Sequence, residues 1–498
     1  MKKILQRICS LTLAVILVCA NLPVSADAAF QIPGTCLVQT DTGAECTVKT
    51  LDYSYDNNAY LSLRDVAMAL KDTDKAFSLK ITQNSVTLTP GSAYKPVGAE
   101  NVPWQDTKSP GITLRRNEFK VGSQTVFYYT MIVKLPSGYY DCFMMAADLA
   151  MILDVDMIVP AEGSLQINTQ DSFHVSPDAL EQAGYFYGVN SVLAGDATTG
   201  EVYYRYQSDA PYPIASTSKL MTCLLAMDAI YAGQIGLDDQ VTVSEAAQIL
   251  SSSSDGVIPL KAGQQVTVRD LLFGTLLPSS NECALCLAEA IAGSEENFVR
   301  LMNQKAADLG LSQAVFFNSH GLPSYTAAPI PSKRQNRMSA EDMFRLVSYL
   351  LRVYPQITDI TSLQGAILKS FNKEVRNSNP LLYNLPGVTG LKTGTTNKAG
   401  ACLVTSLTAD DGVMEHDLTV IVLGTEDSIE RGRVSGLLAR YALNTFYERI
   451  DTGNTGSGET VDGETPQAPG RRPMHAEAAV DRILRTAKLL QLSNKQEQ

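Results

Sequence analysis

Two residues whose types could form a nucleophile and its base lie three positions apart, Ser216 and Lys219. Tyr212-Pro213 predicts a loop before them, and the apolar residues 220–232, followed by Gly233, predict a buried helix. Residues at i and i+3 share a helix face, so the hydroxyl and the amine would lie side by side. A desolvated lysine with a lowered pKa can take the proton of a serine hydroxyl and activate it. The stretch therefore predicts acyl transfer through a serine nucleophile.

A Ser-x-x-Lys pattern alone is weak, because a chain of this length should contain about one by chance. A second copy is present, Ser370-Phe371-Asn372-Lys373, but the polar residues after it cannot form a long buried helix. Ser216 differs because Ser279-Ser280-Asn281 and Lys392-Thr393-Gly394 follow it in order. A Lys-Thr-Gly triplet is expected roughly 0.1 times by chance. The ordered set is the signature of penicillin-binding proteins and class A β-lactamases.

The composition excludes several classes of protein. The chain has 498 residues, 45% hydrophobic and 18% charged, which is typical of soluble globular proteins with two or three domains. Its net charge of −12, without a basic stripe, argues against binding to nucleic acid. Four histidines and no His/Cys pairs at ligand spacing predict no metal and no cofactor. Nine cysteines, two of them near the N-terminus, do not form the pattern of a disulfide scaffold.

The two ends of the chain differ from its middle. Lys2, Lys3 and Arg7, an apolar run and Ala26-Asp27-Ala28 predict a signal peptide over residues 1–28 and a secreted protein. Residues 451–498 are predicted to be a disordered linker with a possible amphipathic helix at 476–492, which is a candidate for peripheral membrane contact.

Residues 30–170 are predicted to form a smaller α+β domain from short alternating strands separated by turn signals. Residues 65–70 are echoed by residues 148–153, which predicts a repeated helix packed on a sheet. Residues 60–67 and 114–117 resemble the copper amine oxidase N-terminal-like domain of many secreted bacterial proteins. This resemblance implies a non-catalytic stalk, and no histidine in 30–170 could bind copper.

Residues 175–450 are predicted to form the catalytic domain. A hairpin at 192–205, several helices and apolar strands at 401–404 and 418–423 follow one another. Thr267 is predicted to cap a helix that Pro278 ends, leaving 279–281 on a loop before the next helix. The order predicts an antiparallel sheet flanked by helices with a helical insertion, an α+β fold.

Residues 185–445 resemble the serine-type D-Ala-D-Ala carboxypeptidases, the low-molecular-mass penicillin-binding proteins, through the three motifs and residues 317–323, 339–343 and 388–396. The resemblance implies a β-lactamase/transpeptidase-like fold. It also implies that the enzyme removes the terminal D-Ala of peptidoglycan stem peptides outside the cytoplasm, at the cell wall or the outer face of the cytoplasmic membrane, and that β-lactams inhibit it. The roles it implies are Ser216 as nucleophile, Lys219 as base, Ser279 as proton relay, Asn281, Lys392, Thr393, Gly394 and Thr395 in substrate binding, the N–H groups of Ser216 and Thr395 as the oxyanion hole, and Arg431 as a second carboxylate contact.

The sequence departs from the family pattern in two places, neither of which removes a catalytic group, so the departures bear on substrate range more than on activity. Ser280 stands where the family usually has glycine, and Glu282-Cys283 where it usually has Asp-Ala.

A class A-like β-lactamase would need a deacylating glutamate in a Glu-x-x-Leu-Asn-type loop, which is absent between 282 and 391. A catalytically weak wall-binding protein is the other alternative. A Ser-His-Asp hydrolase is disfavoured because Gly-x-Ser-x-Gly is absent, and His320 is predicted to shape the cleft floor.

Overall fold

The computed structural model describes residues 31–53, 58–102, 104, 114–122, 124–158, 164–171, 173, 176–182, 186, 188–325, 333–383 and 385–452. The predicted signal peptide and the predicted helix at 476–492 lie outside these residues. The chain forms two compact units. Most of residues 31–169 make up the first, and the second contains residues from 170 onwards together with 120–127 and 150–157.

A ten-stranded sheet, built mostly from residues of the first unit, has the strand order β4-β5-β6-β7-β8-β3-β2-β1-β10-β9. Strand β1 pairs antiparallel with β2 and parallel with β10. The elements are β1 (Gln31–Thr40), β2 (Glu45–Tyr53), β3 (Asn58–Ser62), α1 (Leu63–Ala69), β4 (Phe77–Ile81), β5 (Ser85–Pro90), β6 (Arg115–Val121), β7 (Gln124–Lys134), β8 (Tyr140–Met145), α2 (Ala146–Leu153), β9 (Asp156–Ile158) and β10 (Ser164–Asn168).

The sequence echo in this unit corresponds to a repeated strand-helix element. Helix α1 directly follows β3 and helix α2 directly follows β8, and these two strands pair antiparallel. Ser62 caps α1 because its side chain accepts the N–H of Asp65. The repeat is therefore a strand followed directly by a helix, and the unit is α+β.

The second unit places a five-stranded antiparallel sheet, ordered β12-β11-β23-β22-β21, among helices. Its elements are α3 (Pro177–Gln182), β11 (Ser191–Asp196), β12 (Glu201–Tyr206), β13 (Tyr212–Pro213), α4 (Lys219–Tyr231), β14 (Gln240–Thr242), α5 (Glu245–Ser251), β15 (Gln265–Thr267), α6 (Val268–Leu276), α7 (Asn281–Ala292), α8 (Glu295–Asp308), β16 (Ser324–Tyr325), β17 (Lys333–Arg334), β18 (Arg337–Met338), α9 (Ala340–Val353), α10 (Ile357–Thr361), β19 (Gly365–Leu368), β20 (Lys373–Arg376), β21 (Val388–Thr396), β22 (Gly400–Asp410), β23 (Glu415–Thr425) and α11 (Ser428–Thr452). Three 3₁₀ helices span Ala215–Ser218, Lys369–Phe371 and Pro380–Tyr383.

The sheet is covered on both faces, which explains why β22 and β23 contain uninterrupted apolar runs. Val404 and Ile421 belong to the main core, which α4, α6, α7 and α9 also build. Helix α11 packs on β22 and β23 with its buried Leu437 and Leu438. An antiparallel sheet formed by the first hairpin and the last strands, with the helices between them in sequence, is the predicted α+β arrangement.

The helix ends of the insertion follow the sequence signals. Thr267 accepts the N–H of Asp270 and starts α6, which ends at Leu276 before Pro278. The next helix is capped by Ser280 and ends at Gly293, which has a left-handed φ of 74°. Asn281 is the first residue of α7 and therefore does not lie on the loop as predicted, because Ser280 caps the helix one residue earlier than expected.

Strand β21 lies against the 3₁₀ helix Ala215–Ser218 at Gly394. A Cβ at this position would lie 2.8 Å from Ser216 N, 2.9 Å from Thr217 N and 3.0 Å from Ile214 O. All three neighbours are backbone atoms, so no side chain could rotate away. Glycine is therefore required where the third motif meets the first.

We expect Gly394→Ala to separate β21 from the 3₁₀ helix and to cost about 2 kcal/mol, which corresponds to a fall of roughly 4–8 °C in Tm. Thermal unfolding followed by circular dichroism measures this. Gly432→Ala is the matched control, because a Cβ there meets only Pro380 Cγ at 3.4 Å and alanine favours the helical conformation. Equal melting temperatures for Gly394→Ala and the wild type would contradict the packing described.

Candidate active site

Ser216 lies on the 3₁₀ helix Ala215–Ser218, directly before α4 begins at Lys219. The prediction of a single helix was wrong in this detail, although residues i and i+3 also share a face in a 3₁₀ helix. Ala215 has a left-handed φ of 46°, and the hydroxyls of Thr217 and Ser218 each donate to a backbone carbonyl at 2.6 Å. These bonds hold the turn that presents Ser216, which is only partly buried.

The Lys219 amine is fully buried and lies among three oxygen atoms. Its Nζ is 2.8 Å from Ser216 Oγ, 2.8 Å from Asn281 Oδ1 and 2.7 Å from the His320 carbonyl oxygen. A neutral amine has two N–H donors and one lone pair. The carbonyl and amide oxygens can only accept, so they take the two donors and leave the lone pair for the Ser216 O–H.

Burial lowers the pKa of Lys219 to about 7, although the nearby Glu282 carboxylate opposes this effect. Loss of hydration disfavours the charged ammonium, and the field of the carboxylate partly restores it. An amine with this pKa is substantially neutral near neutral pH. The site therefore contains a base that is able to accept the proton of Ser216.

The second motif contributes Asn281 directly to this base. Asn281 Nδ2 donates to the Asp255 carbonyl oxygen at 2.8 Å, and this bond fixes the amide so that Oδ1 faces Lys219. Ser279 is partly buried and has a left-handed φ of 67°, a conformation that costs a non-glycine residue roughly 1 kcal/mol. Ser280 accepts the N–H of Cys283 and so serves as a helix cap.

The third motif lies on β21, which is an edge strand of the sheet. Lys392 is buried, and its pKa is held well below its usual range by burial and by the charge of Lys219. Lys392 Nζ donates to the Thr393 carbonyl oxygen at 2.9 Å, and the Thr393 hydroxyl is 2.5 Å from Ser378 Oγ. With Gly394 against the 3₁₀ helix, the structure brings all three motifs together.

Arg431 is joined to the exposed end of this strand. Its Nη1 donates to Thr395 Oγ1 at 3.2 Å, and Thr395 is exposed. Arg431 as a residue is 7% accessible, and its Nε has no hydrogen-bond partner among the described residues. A buried cation next to an exposed hydroxyl is suited to binding a carboxylate.

Sequence reasoning missed three groups that hold the site. The His320 carbonyl accepts from Lys219, while its imidazole has a pKa lowered to about 3 by burial and the charge of Lys219. Ser378 contacts Thr393, and the Asp255 carbonyl orients Asn281. Two of the three groups are backbone carbonyls, which any residue type supplies, so the residue types do not reveal them. Of the three residues, only His320 stood in a recognisable motif.

The second Ser-x-x-Lys pattern does not form a comparable site. Ser370 belongs to the 3₁₀ helix Lys369–Phe371, whereas Lys373 begins strand β20. Ser370 Oγ accepts the N–H of Thr267, and Lys373 Nζ donates to the Val257 carbonyl oxygen. The prediction that this copy is not part of a buried helix is confirmed.

Part of the chain is similar to known proteins. A family model described as D-alanyl-D-alanine carboxypeptidase, peptidase S11, matches residues 186–427. The D-alanyl-D-alanine carboxypeptidase DacF of Bacillus subtilis is 32% identical over 298 residues, which cover 58% of this chain and 72% of that protein. The D-alanyl-D-alanine endopeptidase of Pseudomonas aeruginosa is 30% identical and is covered over 74% of its length by 48% of this chain.

Among solved structures, penicillin-binding protein D2 of Listeria monocytogenes in its ampicillin-bound form aligns over 51% of this chain and 97% of its own, with 25% identity and a TM-score of 0.44. No helix among the described residues is long and apolar enough to cross a bilayer. Two findings show the family. DacF is 32% identical over 72% of its length, and the family model matches the segment that carries the three motifs. The chain belongs to the D-alanyl-D-alanine carboxypeptidase family, peptidase S11.

Proposed function

We propose that the protein is a serine carboxypeptidase that removes the terminal D-Ala of peptidoglycan stem pentapeptides through an acyl-enzyme on Ser216. The observation that carries the proposal is the 2.8 Å contact between Ser216 Oγ and a buried Lys219 amine whose pKa is about 7. Family membership supplies the substrate class, and the contact supplies the chemistry.

In the acylation step, Ser216 Oγ attacks the carbonyl carbon of the penultimate D-Ala while its proton passes to Lys219 Nζ. The oxyanion is stabilised by the N–H groups of Ser216 and Thr395, and loss of such a donor typically costs ~10²–10³ in rate. The position of Gly394 supports this assignment, because a Cβ built there would lie only 2.8 Å from Ser216 N, so the strand runs next to this N–H group.

Breakdown of the tetrahedral intermediate breaks the bond between the two D-Ala residues. The leaving amine takes a proton from Lys219 through Ser279, and an ester of Ser216 remains. Water then attacks this ester, with Lys219 again as the base, and releases the shortened peptide. The position of Ser279 next to the cap of α7, with Asn281 bonded to Lys219, supports its role as relay.

The substrate binds beside the edge strand β21, where a peptide can pair with the free edge by strand addition. Its terminal carboxylate contacts Thr393, Thr395 and Arg431, and Lys392, on the same strand, takes part in binding this side of the substrate. Asn281 contacts the peptide backbone. The buried guanidinium of Arg431 and its bond to Thr395 support this orientation. A β-lactam carries a similar carboxylate and acylates the same serine.

We also propose that the protein acts outside the cytoplasm, where stem peptides are found, after removal of residues 1–28. Residues 30–170 then serve as a non-catalytic spacer or wall-interaction domain, residues 175–450 as the catalytic domain and residues 451–498 as a linker. The amphipathic helix predicted from the sequence at 476–492 would contact the membrane surface. The separation of the described chain into two compact units supports this division of labour.

We predict that Ser216→Ala abolishes both D-Ala release and covalent labelling by a fluorescent penicillin, because no hydroxyl remains to form the ester. Mass spectrometry of a labelled tryptic digest should find the adduct on the peptide 206–219. The matched control is Ser370→Ala, which removes the other Ser-x-x-Lys serine and should retain full labelling. Labelling of Ser216→Ala, or an adduct on another peptide, would refute the assignment of the nucleophile. Rapid turnover of the penicillin by the wild type would indicate a β-lactamase instead.

We predict that Arg431→Gln raises KM about tenfold for a peptide ending in a free D-Ala carboxylate, because a charge-assisted bond is lost. The same peptide with an amidated terminus should show little change. Arg433→Gln is the matched control on the same helix, since Arg433 pairs with Glu430. Equal effects of Arg431→Gln on the two substrates would show that Arg431 does not bind the carboxylate.

A further inference from the structure

Glu282 is a fully buried carboxylate immediately after the second motif. It is the second residue of α7, and its Oε1 accepts the backbone N–H groups of Val257, at 2.9 Å, and of Ile258. Its Oε2 has no hydrogen-bond partner among the described residues. A buried carboxylate is costly unless neighbouring groups compensate it, so this side chain needs an explanation.

Glu282 and Asn281 together hold the loop that follows helix α5. Asn281 Nδ2 donates to the carbonyl of Asp255, and Glu282 Oε1 accepts from Val257 and Ile258, two and three residues further along the loop. The orientation of the Asn281 amide depends on the position of Asp255. The loop, and therefore Glu282, determines whether Asn281 Oδ1 faces Lys219.

Glu282 also contributes to the electrostatic environment of Lys219. Among the described residues, the groups that face the Lys219 amine or act on its charge come from the 3₁₀ helix Ala215–Ser218, α4, α7, β21 and the loop after α8. They are Glu282 and the thiols of Cys223 and Cys283, the amine of Lys392, the buried imidazole of His320, and the neutral oxygens of Ser216, Asn281 and His320. Among these groups Glu282 is the only carboxylate.

We propose that Glu282 is a positioning residue for the acylation step: one carboxylate oxygen holds the loop that orients Asn281 towards Lys219, and its negative charge acts on the buried amine. The inference rests on the proposed function, since Lys219 must be the base for Ser216. Burial alone would make Lys219 a weak base, and the carboxylate keeps it strong enough to take the proton of Ser216 at neutral pH.

Two substitutions separate the two effects. Glu282→Gln keeps an oxygen that can accept from Val257 and Ile258 but removes the charge. Glu282→Asp keeps the charge but is one methylene shorter, so it cannot reach both N–H groups without moving the loop. A purely structural residue would be affected by shape alone and would not respond to the loss of charge.

The experiment measures the second-order rate of acylation by a fluorescent penicillin between pH 5 and 9, using the full chain. We expect a wild-type rate that rises with pH to a plateau, with a midpoint near 7, because Lys219 must lose its proton. For Glu282→Gln the midpoint should fall by about 1 pH unit, since the neutral amine is no longer disfavoured by a nearby anion. For Glu282→Asp the midpoint should stay and the plateau should fall several-fold.

Glu289→Gln is the matched control. It removes the same charge from the same face of α7, about two turns or ~10 Å further along the helix, where the side chain is partly exposed. Its profile should coincide with that of the wild type. A shift as large as that of Glu282→Gln would mean that any negative charge on this helix has the effect, and would overturn the specific role of Glu282.

Coincident midpoints for the wild type and Glu282→Gln would overturn the inference and leave the proposed function intact. A wild-type chain that no penicillin acylates would overturn both. If circular dichroism shows that Glu282→Gln does not fold, the pH profile of acylation of Glu282→Asp tests the proposal instead. A shifted midpoint or an unchanged plateau in that variant would refute the proposal.

Discussion

The site depends on one interaction, the placement of the Lys219 amine in a water-excluded position among three oxygens. Two of these oxygens, from Asn281 and His320, can only accept hydrogen bonds, and the third belongs to Ser216. This arrangement gives the neutral amine a fixed direction for its lone pair. The base is therefore in hydrogen-bonding contact with the nucleophile before any substrate binds.

The fold serves this interaction by bringing distant segments to one point. The 3₁₀ helix and α4 supply Ser216 and Lys219, α7 supplies Asn281, and β21 closes the other side at Gly394. Close backbone approach at Gly394 leaves no room for a side chain. Polar groups that would be costly alone, such as Lys219 and Glu282, are tolerated because they are held by specific partners within the same cluster.

The sequence predicted what depends on local pattern. The hairpin of β11 and β12, the cap at Thr267 and the glycine end of α7 follow rules that act over a few residues. It could not predict that Ser216 lies on a 3₁₀ helix, since that depends on contacts with β21. The two N–H groups that bind Glu282 come from a loop 24 and 25 positions earlier, and no short-range rule links them.

The proposed acylation step requires a Lys219 amine that is neutral near neutral pH. A direct test is the NMR titration of the protein labelled with [ε-¹³C]lysine, in which the Lys219 resonance is identified by its absence from Lys219→Ala. We predict a titration midpoint near pH 7, because burial lowers the pKa of this amine. A midpoint near 10, the value of an exposed lysine, would contradict it.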